Sequence, residues 1–151
     1  MKRVYTLSFI WLIIDQTLKM FANKLLIDIA LINNFLYITK VKNYGVAFGL
    51  LDNVKYIIIA ISILILVFIN NELMKEDKTK INVIIYSFVI GGLLGNLIDR
   101  IFRGYVIDYI SVNLFGHGFP VFNFADILIT IGFILYGISI VMKEKKDETS
   151  R

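Results

Sequence analysis

Four long apolar stretches alternate with polar connections along the 151-residue chain, and they cover roughly residues 4–22, 54–73, 81–102 and 125–142. About 20 apolar residues let a helix cross the hydrocarbon core of a bilayer, because each residue adds about 1.5 Å of rise. The pattern therefore predicts four transmembrane helices. Residues 23–53 and 103–124 are then two long connections on the same side of the membrane.

The first long connection has a different period from the apolar stretches. From Phe35 to Lys42, β-branched and aromatic residues alternate with polar ones, which is typical of a strand. In the second connection, residues 106–114 predict a short surface helix or a strand, followed by a loop from Gly116 to Pro120. We therefore expect a polytopic α-helical membrane protein with a small extracytoplasmic β-sheet and a short surface helix or loop.

Composition agrees with a membrane protein. Hydrophobic residues make up 58% of the chain and charged residues 19%, with a mean hydropathy of +0.75, far more apolar than an ordinary soluble domain. The length favours a single membrane-embedded domain over residues 1–151. The net charge of +4 comes from short basic groups beside apolar stretches, which favours membrane lipids rather than nucleic acid as the partner.

The distribution of positive charge predicts the orientation in the membrane. Nine Lys and Arg residues fall at the termini and around the connection between the second and third stretches, and six fall on or near the other side. Cytoplasmic connections carry the excess of Lys and Arg in membrane proteins. Both termini should therefore be cytoplasmic, with both long connections extracytoplasmic.

Several reaction classes are disfavoured by what the sequence lacks. The chain has no cysteine and a single histidine, His117. Thiol nucleophiles, disulfides and thiolate metal sites are therefore excluded. A metal site would need carboxylates for nearly all of its ligands, so we expect no metal and no other cofactor.

Two aspartates stand out because each lies where apolar sequence meets a polar connection at the same predicted membrane border. Asp108 follows the third stretch and Asp126 opens the fourth, where unpaired backbone N–H groups favour an anion. Two adjacent carboxylates can share one proton, which is the active form of an aspartic protease. A simple helix-capping role for Asp126 is the alternative.

Two other polar sets lie within or at the end of apolar stretches. Asp15 and Lys19 are four residues apart, so they share a helix face and can pair. Asn96, Asp99 and Arg100 have the spacing i, i+3 and i+4, which also defines one face. Ionisable groups inside a span are costly unless they pair or face the bundle interior. The first pair either orients its helix or acts directly at a site.

Five blocks of sequence resemble the bacterial lipoprotein signal peptidase family, also called signal peptidase II, over nearly the whole chain. In order, they are Asp15–Lys19 (DQTLK), Asn43–Phe48 (NYGVAF), Gly95–Arg100 (GNLIDR), Val106–Tyr109 (VIDY) and Phe122–Asp126 (FNFAD). Each block is weak alone, but their order on four apolar stretches is specific. Phe124 stands where an aliphatic residue is more usual, which is a conservative departure.

The resemblance implies an aspartic endopeptidase of the bacterial cytoplasmic membrane. Such an enzyme removes the signal peptide from a prolipoprotein by cutting just before a cysteine that already carries diacylglycerol. Asp108 and Asp126 would form the catalytic pair, with one ionised and one protonated. The resemblance further implies residues that line the site, namely Asn43, Asn96, Arg100 and Asn123, and residues that support it, namely Asp15 and Lys19. Asp99 is expected to support the helix end beside Arg100.

The expected partners are the lipid-modified prolipoprotein and membrane lipids, with the enzyme acting as a monomer. We expect the strand-rich segment to hold the lipid-modified end of the substrate while the loop from Gly116 to Pro120 closes over the aspartates. The alternative is a small non-enzymatic transporter or membrane scaffold whose acids relay protons or ions. That alternative requires acids along the whole bundle, whereas this sequence concentrates them at one border.

Overall fold

The computed structural model describes residues 1–45, 54–75 and 79–149. The α-helices are α1 (Lys2–Asn23), α2 (Val54–Lys75), α3 (Lys80–Ile98) and α4 (Phe124–Thr149). The strands are β1 (Ile29–Ile32), β2 (Leu36–Asn43), β3 (Val106–Leu114) and β4 (His117–Gly118). A π-helical segment, Asp99–Arg103, continues α3. Residues 46–48 of the NYGVAF block lie outside the described residues.

Within the described residues, three helices are long and apolar enough to cross a membrane: Lys55–Leu73, Lys80–Arg103 and Phe124–Lys143. In length and composition, these ranges confirm the second, third and fourth predicted spans. The helix α1 is also 22 residues long, but it has the ionisable Asp15 and Lys19 in its second half. The protein is therefore a helical membrane protein, and the first predicted span, which corresponds to α1, stays a prediction.

The strands form one antiparallel sheet with the order β1-β2-β3-β4. Its centre is the pairing of β2 with β3, which places Val41 opposite Asp108 and Asn43 opposite Val106. The predicted strand at residues 35–42 is confirmed by β2. The surface helix considered for residues 106–114 is wrong, because this segment pairs with β2 along its length.

The chain returns from β4 to α4 alongside β3. The carbonyl of Phe122 accepts hydrogen bonds from the backbone N–H groups of Tyr109 and Ile110, and the N–H of Phe122 donates to the carbonyl of Ile110. The backbone N–H of Phe119 likewise donates to the carbonyl of Val112. These bonds hold the start of α4 beside the strand that carries Asp108.

The helix α3 is the centre of the bundle, since most of its span is buried, whereas only a small share of the spans of α2 and α4 is buried. A buried cluster joins α1, α2 and α3, and it consists of Val4, Ile69, Leu73, Tyr86, Val89, Ile90 and Leu93. Two glycines allow close packing of α3. A Cβ atom at Gly91 would lie 2.8 Å from the Cβ of Trp11 on α1, and one at Gly92 would lie 2.6 Å from the carbonyl oxygen of Ala125 on α4.

We predict that Gly92→Ala lowers the free energy of unfolding by about 1–3 kcal/mol, because the added methyl group must push α3 and α4 apart. The matched control is Gly137→Ala in α4, where an added Cβ would meet nothing within 4 Å. The control should leave stability unchanged or raise it by up to about 1 kcal/mol through helix propensity. Thermal unfolding in one detergent compares the two variants, and equal stability of both would contradict the packing argument.

Candidate active site

Asp108 lies on β3 and is 2% exposed. Each of its carboxylate oxygens accepts a hydrogen bond from a side-chain amide. Asn43 at the end of β2 donates from Nδ2 to Oδ2 at 2.8 Å, and Asn123 before α4 donates from Nδ2 to Oδ1 at 2.6 Å. The antiparallel pairing of β2 with β3 brings Asn43 to this position, although the two residues are far apart in sequence.

Asp126 lies in the first turn of α4 and is half-buried. Its Oδ2 accepts from the backbone N–H of Asn123 at 3.0 Å, and Oδ1 of Asn123 accepts from the backbone N–H of Asp126 at 3.1 Å. This reciprocal pair caps the helix in the manner of a capping box. Asn123, rather than Asp126, is therefore the cap residue that precedes α4.

Two asparagines connect the aspartates. Asn123 contacts both, through its side-chain amide to Asp108 and its backbone N–H to Asp126. Asn96 on α3 donates from Nδ2 to Oδ1 of Asp126 at 2.7 Å and accepts from Nδ2 of Asn123 at 3.2 Å. The structure thus brings the two predicted aspartates into one hydrogen-bonded site.

A polar cavity of about 560 Å³ opens beside Asp108, and it is lined by Val41, Lys42, Asn43, Tyr44, Gly45, Ile58, Arg100, Asp108 and Val121. Arg100 is half-buried, and its side chain donates to the backbone carbonyl of Asn96 at 3.3 Å. Its charge attracts the carboxylates of both Asp126 and Asp108. The cavity can therefore receive a polar chain that reaches the aspartate pair.

Burial raises the pKa of Asp108 above the usual range of an aspartate. The hydrogen bonds from Asn43 and Asn123 oppose this shift because they stabilise the ionised form, and the negative charge of Asp126 adds to it. Asp108 therefore keeps its proton to a higher pH than an exposed aspartate. This environment suits a carboxyl group that exchanges a proton during a reaction.

A buried ion cluster lies directly behind the aspartate pair. The Lys19 ammonium contacts Oδ2 of Asp15 at 2.9 Å and Oδ2 of Asp99 at 3.1 Å, and all three side chains are 0% exposed. Lys19 also donates to Oδ1 of Asn96 at 2.9 Å. The predicted pair of Asp15 and Lys19 is present, and it reaches the site through Asn96.

The two acids of this cluster also hold backbone segments in place. Oδ1 of Asp15 accepts from the backbone N–H of Ala125 at the start of α4, at 3.1 Å. Oδ2 of Asp99 accepts from the backbone N–H of Ile107 on β3, at 3.2 Å. The cluster therefore fixes the elements that carry Asp126 and Asp108.

The charged partners of Asp99 differ from the expectation. Asp99 forms ion pairs with Lys19 and Arg103, whereas the sequence suggested support beside Arg100. Arg103 lies four residues after Asp99, at the end of the π-helical segment, and this spacing lets it face the Asp99 carboxylate. Gln16 was also missed, and its Nε2 donates to Asp99 at 3.1 Å and to Asp15 at 3.2 Å. Its place inside the DQTLK block is the signal that could have found it.

His117 is exposed on β4, and its Nδ1 atom lies 3.2 Å from the carbonyl oxygen of Phe115. Within residues 1–45, 54–75 and 79–149, no three His, Cys, Asp or Glu side chains form a group that could hold a metal ion.

The fold and the site define a helical membrane protein with a hydrogen-bonded pair of aspartates where its bundle meets a small sheet. The chain matches the signal peptidase (SPase) II family over residues 7–142 and belongs to that family. It is thus a bacterial membrane peptidase that removes signal peptides from lipoproteins. This assignment confirms the family expected from the sequence and removes the transporter or scaffold alternative.

Two solved structures are similar over nearly the full chain. Both are described as bacterial membrane enzymes determined by the in meso method, at 2.3 Å and at 1.9 Å resolution. Each is 32% identical to this chain with a TM-score of 0.83. The first match covers 97% of this chain and 92% of the other, and the second covers 93% of each.

We predict that Lys19→Met lowers the free energy of unfolding by about 3–5 kcal/mol, because it leaves the carboxylates of Asp15 and Asp99 buried without their shared ammonium. The control is Lys75→Met, which removes an ion pair with Glu72 in which the lysine is 70% exposed. Exposed pairs contribute little, so the control should unfold like the wild type.

Thermal unfolding of both variants in the same detergent measures this difference. If Lys19→Met does not accumulate, combining it with Asp15→Asn and Asp99→Asn should restore folding, since that variant buries no carboxylate in the cluster. Equal stability of Lys19→Met and Lys75→Met would show that the cluster contributes nothing.

Proposed function

We propose that the protein is an aspartic endopeptidase in which Asp108 and Asp126 are the catalytic residues. The observation that carries the proposal is that Asn123 donates hydrogen bonds to both carboxylates. Two carboxylates held by one residue cannot both ionise cheaply, so the pair retains one proton. A pair with one ionised and one protonated member is the form in which aspartic proteases hydrolyse an amide with water.

In the proposed reaction, the ionised carboxylate takes a proton from a water molecule, and the resulting hydroxide attacks the carbonyl carbon of the scissile bond. The protonated carboxyl group donates its proton to the carbonyl oxygen, which gives a neutral tetrahedral intermediate. When the C–N bond breaks, the intermediate's hydroxyl proton returns to the pair and the leaving amine takes up a proton. Because the two aspartates share one proton in this scheme, the roles of acid and base belong to the pair rather than to one named residue.

The polar side chains around the pair are proposed to bind the substrate backbone. Asn43 and Arg100 line the cavity beside Asp108, and Asn96 and Asn123 connect the two carboxylates. Asn amides and the Arg guanidinium donate hydrogen bonds to peptide carbonyls. Asp15, Lys19 and Asp99 are proposed to position the site, since they contact one another and the start of α4 behind the aspartate pair.

We propose that α1 also crosses the membrane, which gives four transmembrane helices in all. An even number of spans places both termini on the same side, and we assign that side to the cytoplasm. The charged Asp15 and Lys19 are buried against other helices, and charged groups tolerated within a span face the bundle interior. The C-terminal half of α1, the end of α3 and the start of α4 meet at the site. This end is then extracytoplasmic in a single domain that acts as a monomer.

The proposed substrate is a prolipoprotein cut just before its diacylglyceryl-modified cysteine. Its signal peptide is an apolar helix, and its acyl chains remain in lipid. The scissile bond therefore arrives at the membrane border, which is where the aspartate pair lies in the proposed orientation.

We predict that Asp108→Asn and Asp126→Asn each lower the rate of cleavage of such a substrate by about 10²–10⁴-fold, because each removes one proton-transfer group. The control is Asp28→Asn, since Asp28 is exposed and accepts a hydrogen bond from Thr39. Cleavage of purified diacylglyceryl-modified prolipoprotein, followed by gel shift and mass of the product, is the measurement. Wild-type rates for either catalytic variant would show that the pair is assigned wrongly.

We predict that Asn43→Ala moves the pH dependence of kcat/KM toward higher pH. The Asn43 amide stabilises the ionised form of Asp108 and opposes the upward shift of its pKa that burial causes. Without that hydrogen bond the pKa of Asp108 rises further, so the pair loses its proton at a higher pH. Thr39→Val, on the same strand but bonded to Asp28, is the control. An unmoved or acid-shifted profile for Asn43→Ala would exclude this role.

A further inference from the structure

A groove of about 420 Å³ has Asp126 in its wall, and its other lining residues are Phe119, Phe122, Ile127, Thr130 and Ile131. Apart from Asp126 and the Thr130 hydroxyl, these side chains are hydrocarbon. The polar cavity described above has Asp108 in its wall instead. The aspartate pair therefore adjoins two spaces of opposite polarity.

The geometry of the groove follows from two elements. Phe119 and Phe122 form one wall and pack edge to face, with ring centroids 6.1 Å apart. The other wall is the face of α4 formed by Ile127 and Ile131, which are one helical turn apart and so about 6 Å apart along the axis. Ile131 is 41% exposed and Phe119 is 55% exposed. The groove is thus open to the surroundings within the candidate span that begins at Phe124.

We propose that this groove binds one acyl chain of the diacylglyceryl group on the substrate cysteine. The inference rests on the proposed function, which places the scissile bond at Asp108 and Asp126. A substrate group that binds in a groove lined by Asp126 must be attached to the substrate close to the scissile bond. The modified cysteine meets this condition, because it directly follows the bond and its acyl chains can extend along α4.

The size and polarity of the groove favour an acyl chain over a peptide. The signal-peptide helix is about 10–12 Å across with its side chains, whereas the groove is bounded by one aromatic pair and one turn of α4. Peptide backbone needs hydrogen-bond partners wherever it is buried. Such partners line the cavity beside Asp108, whereas Thr130 and Asp126 are the polar groups in the groove wall.

This placement differs from the expectation that the strand-rich segment holds the lipid-modified end. The part of β2 that lines the polar cavity contributes Val41, Lys42 and Asn43. The polar groups of Lys42 and Asn43 would be desolvated by hydrocarbon without compensation. The aromatic pair and α4 offer apolar contact instead. Each methylene group buried there strengthens binding by about fourfold.

The test compares two synthetic substrates that share one peptide and differ in the acyl chains on the cysteine, which are palmitoyl in one and butanoyl in the other. Ile131→Trp fills the groove with a larger side chain. We expect it to lower kcat/KM for the palmitoyl substrate about tenfold, as when roughly two methylene groups lose their burial. The butanoyl substrate should be cut within about twofold of the wild-type rate, since its chains are too short to reach Ile131.

Ile63→Trp is the matched control, because Ile63 lies on α2, is 45% exposed, and is outside the groove. It should leave both rates unchanged. An equal loss on both substrates with Ile131→Trp, or no loss on either, would overturn the acyl-chain site while leaving the proposed peptidase reaction intact. Failure of the wild type to cut either substrate, or cutting by Asp108→Asn at the wild-type rate, would instead remove the proposed reaction itself.

Discussion

The arrangement of the site depends on one buried cation. The Lys19 ammonium lies between the carboxylates of Asp15 and Asp99 with no exposure of any of the three side chains. Removing an isolated charge from water is costly, so the ammonium stabilises both buried acids, and Arg103 adds a second cation beside Asp99. Asp15 then holds the start of α4 and Asp99 holds β3 through backbone N–H groups. The Lys19 ammonium thus joins the two elements that carry Asp126 and Asp108.

The same cation also sets the direction of the amides that face the aspartate pair. Because Lys19 donates to Oδ1 of Asn96, the NH₂ group of Asn96 points toward Asp126. The Oδ1 atom of Asn123 accepts from the backbone N–H of Asp126, so its NH₂ group points toward Asp108. Both carboxylates therefore receive N–H donors rather than carbonyl oxygens. The structural acids have a cation in direct contact, whereas these two have neutral amides, and this difference leaves the pair free to hold a proton.

Sequence patterns predicted the parts of this structure that depend on local periodicity. Long apolar stretches matched α2, α3 and α4, and alternation from Phe35 to Lys42 matched β2. The identity of residues 106–114 was ambiguous because a strand and a short helix fit the same mixed segment, and pairing with the distant β2 decides between them. The partners of Asp99 were missed for a different reason. Arg103 lies four residues after Asp99 and so has the spacing of a helical ion pair, but the expectation from the sequence rested on the adjacent Arg100 alone. The contact with Lys19 depends on the packing of α1 against α3, which no local pattern shows.

The helix α4 both contributes to the site and has a face open to the surroundings. Its first turn contributes Asp126, while only a small share of its apolar span is fully buried. The central helix α3, by contrast, contributes Asn96 from a buried position. A hydrophobic group that approaches along α4 therefore reaches the aspartate pair without separating α3 from its neighbours. On the proposed assignment, a lipid-modified substrate can enter from the bilayer while the buried ion cluster, which holds the catalytic geometry, stays intact.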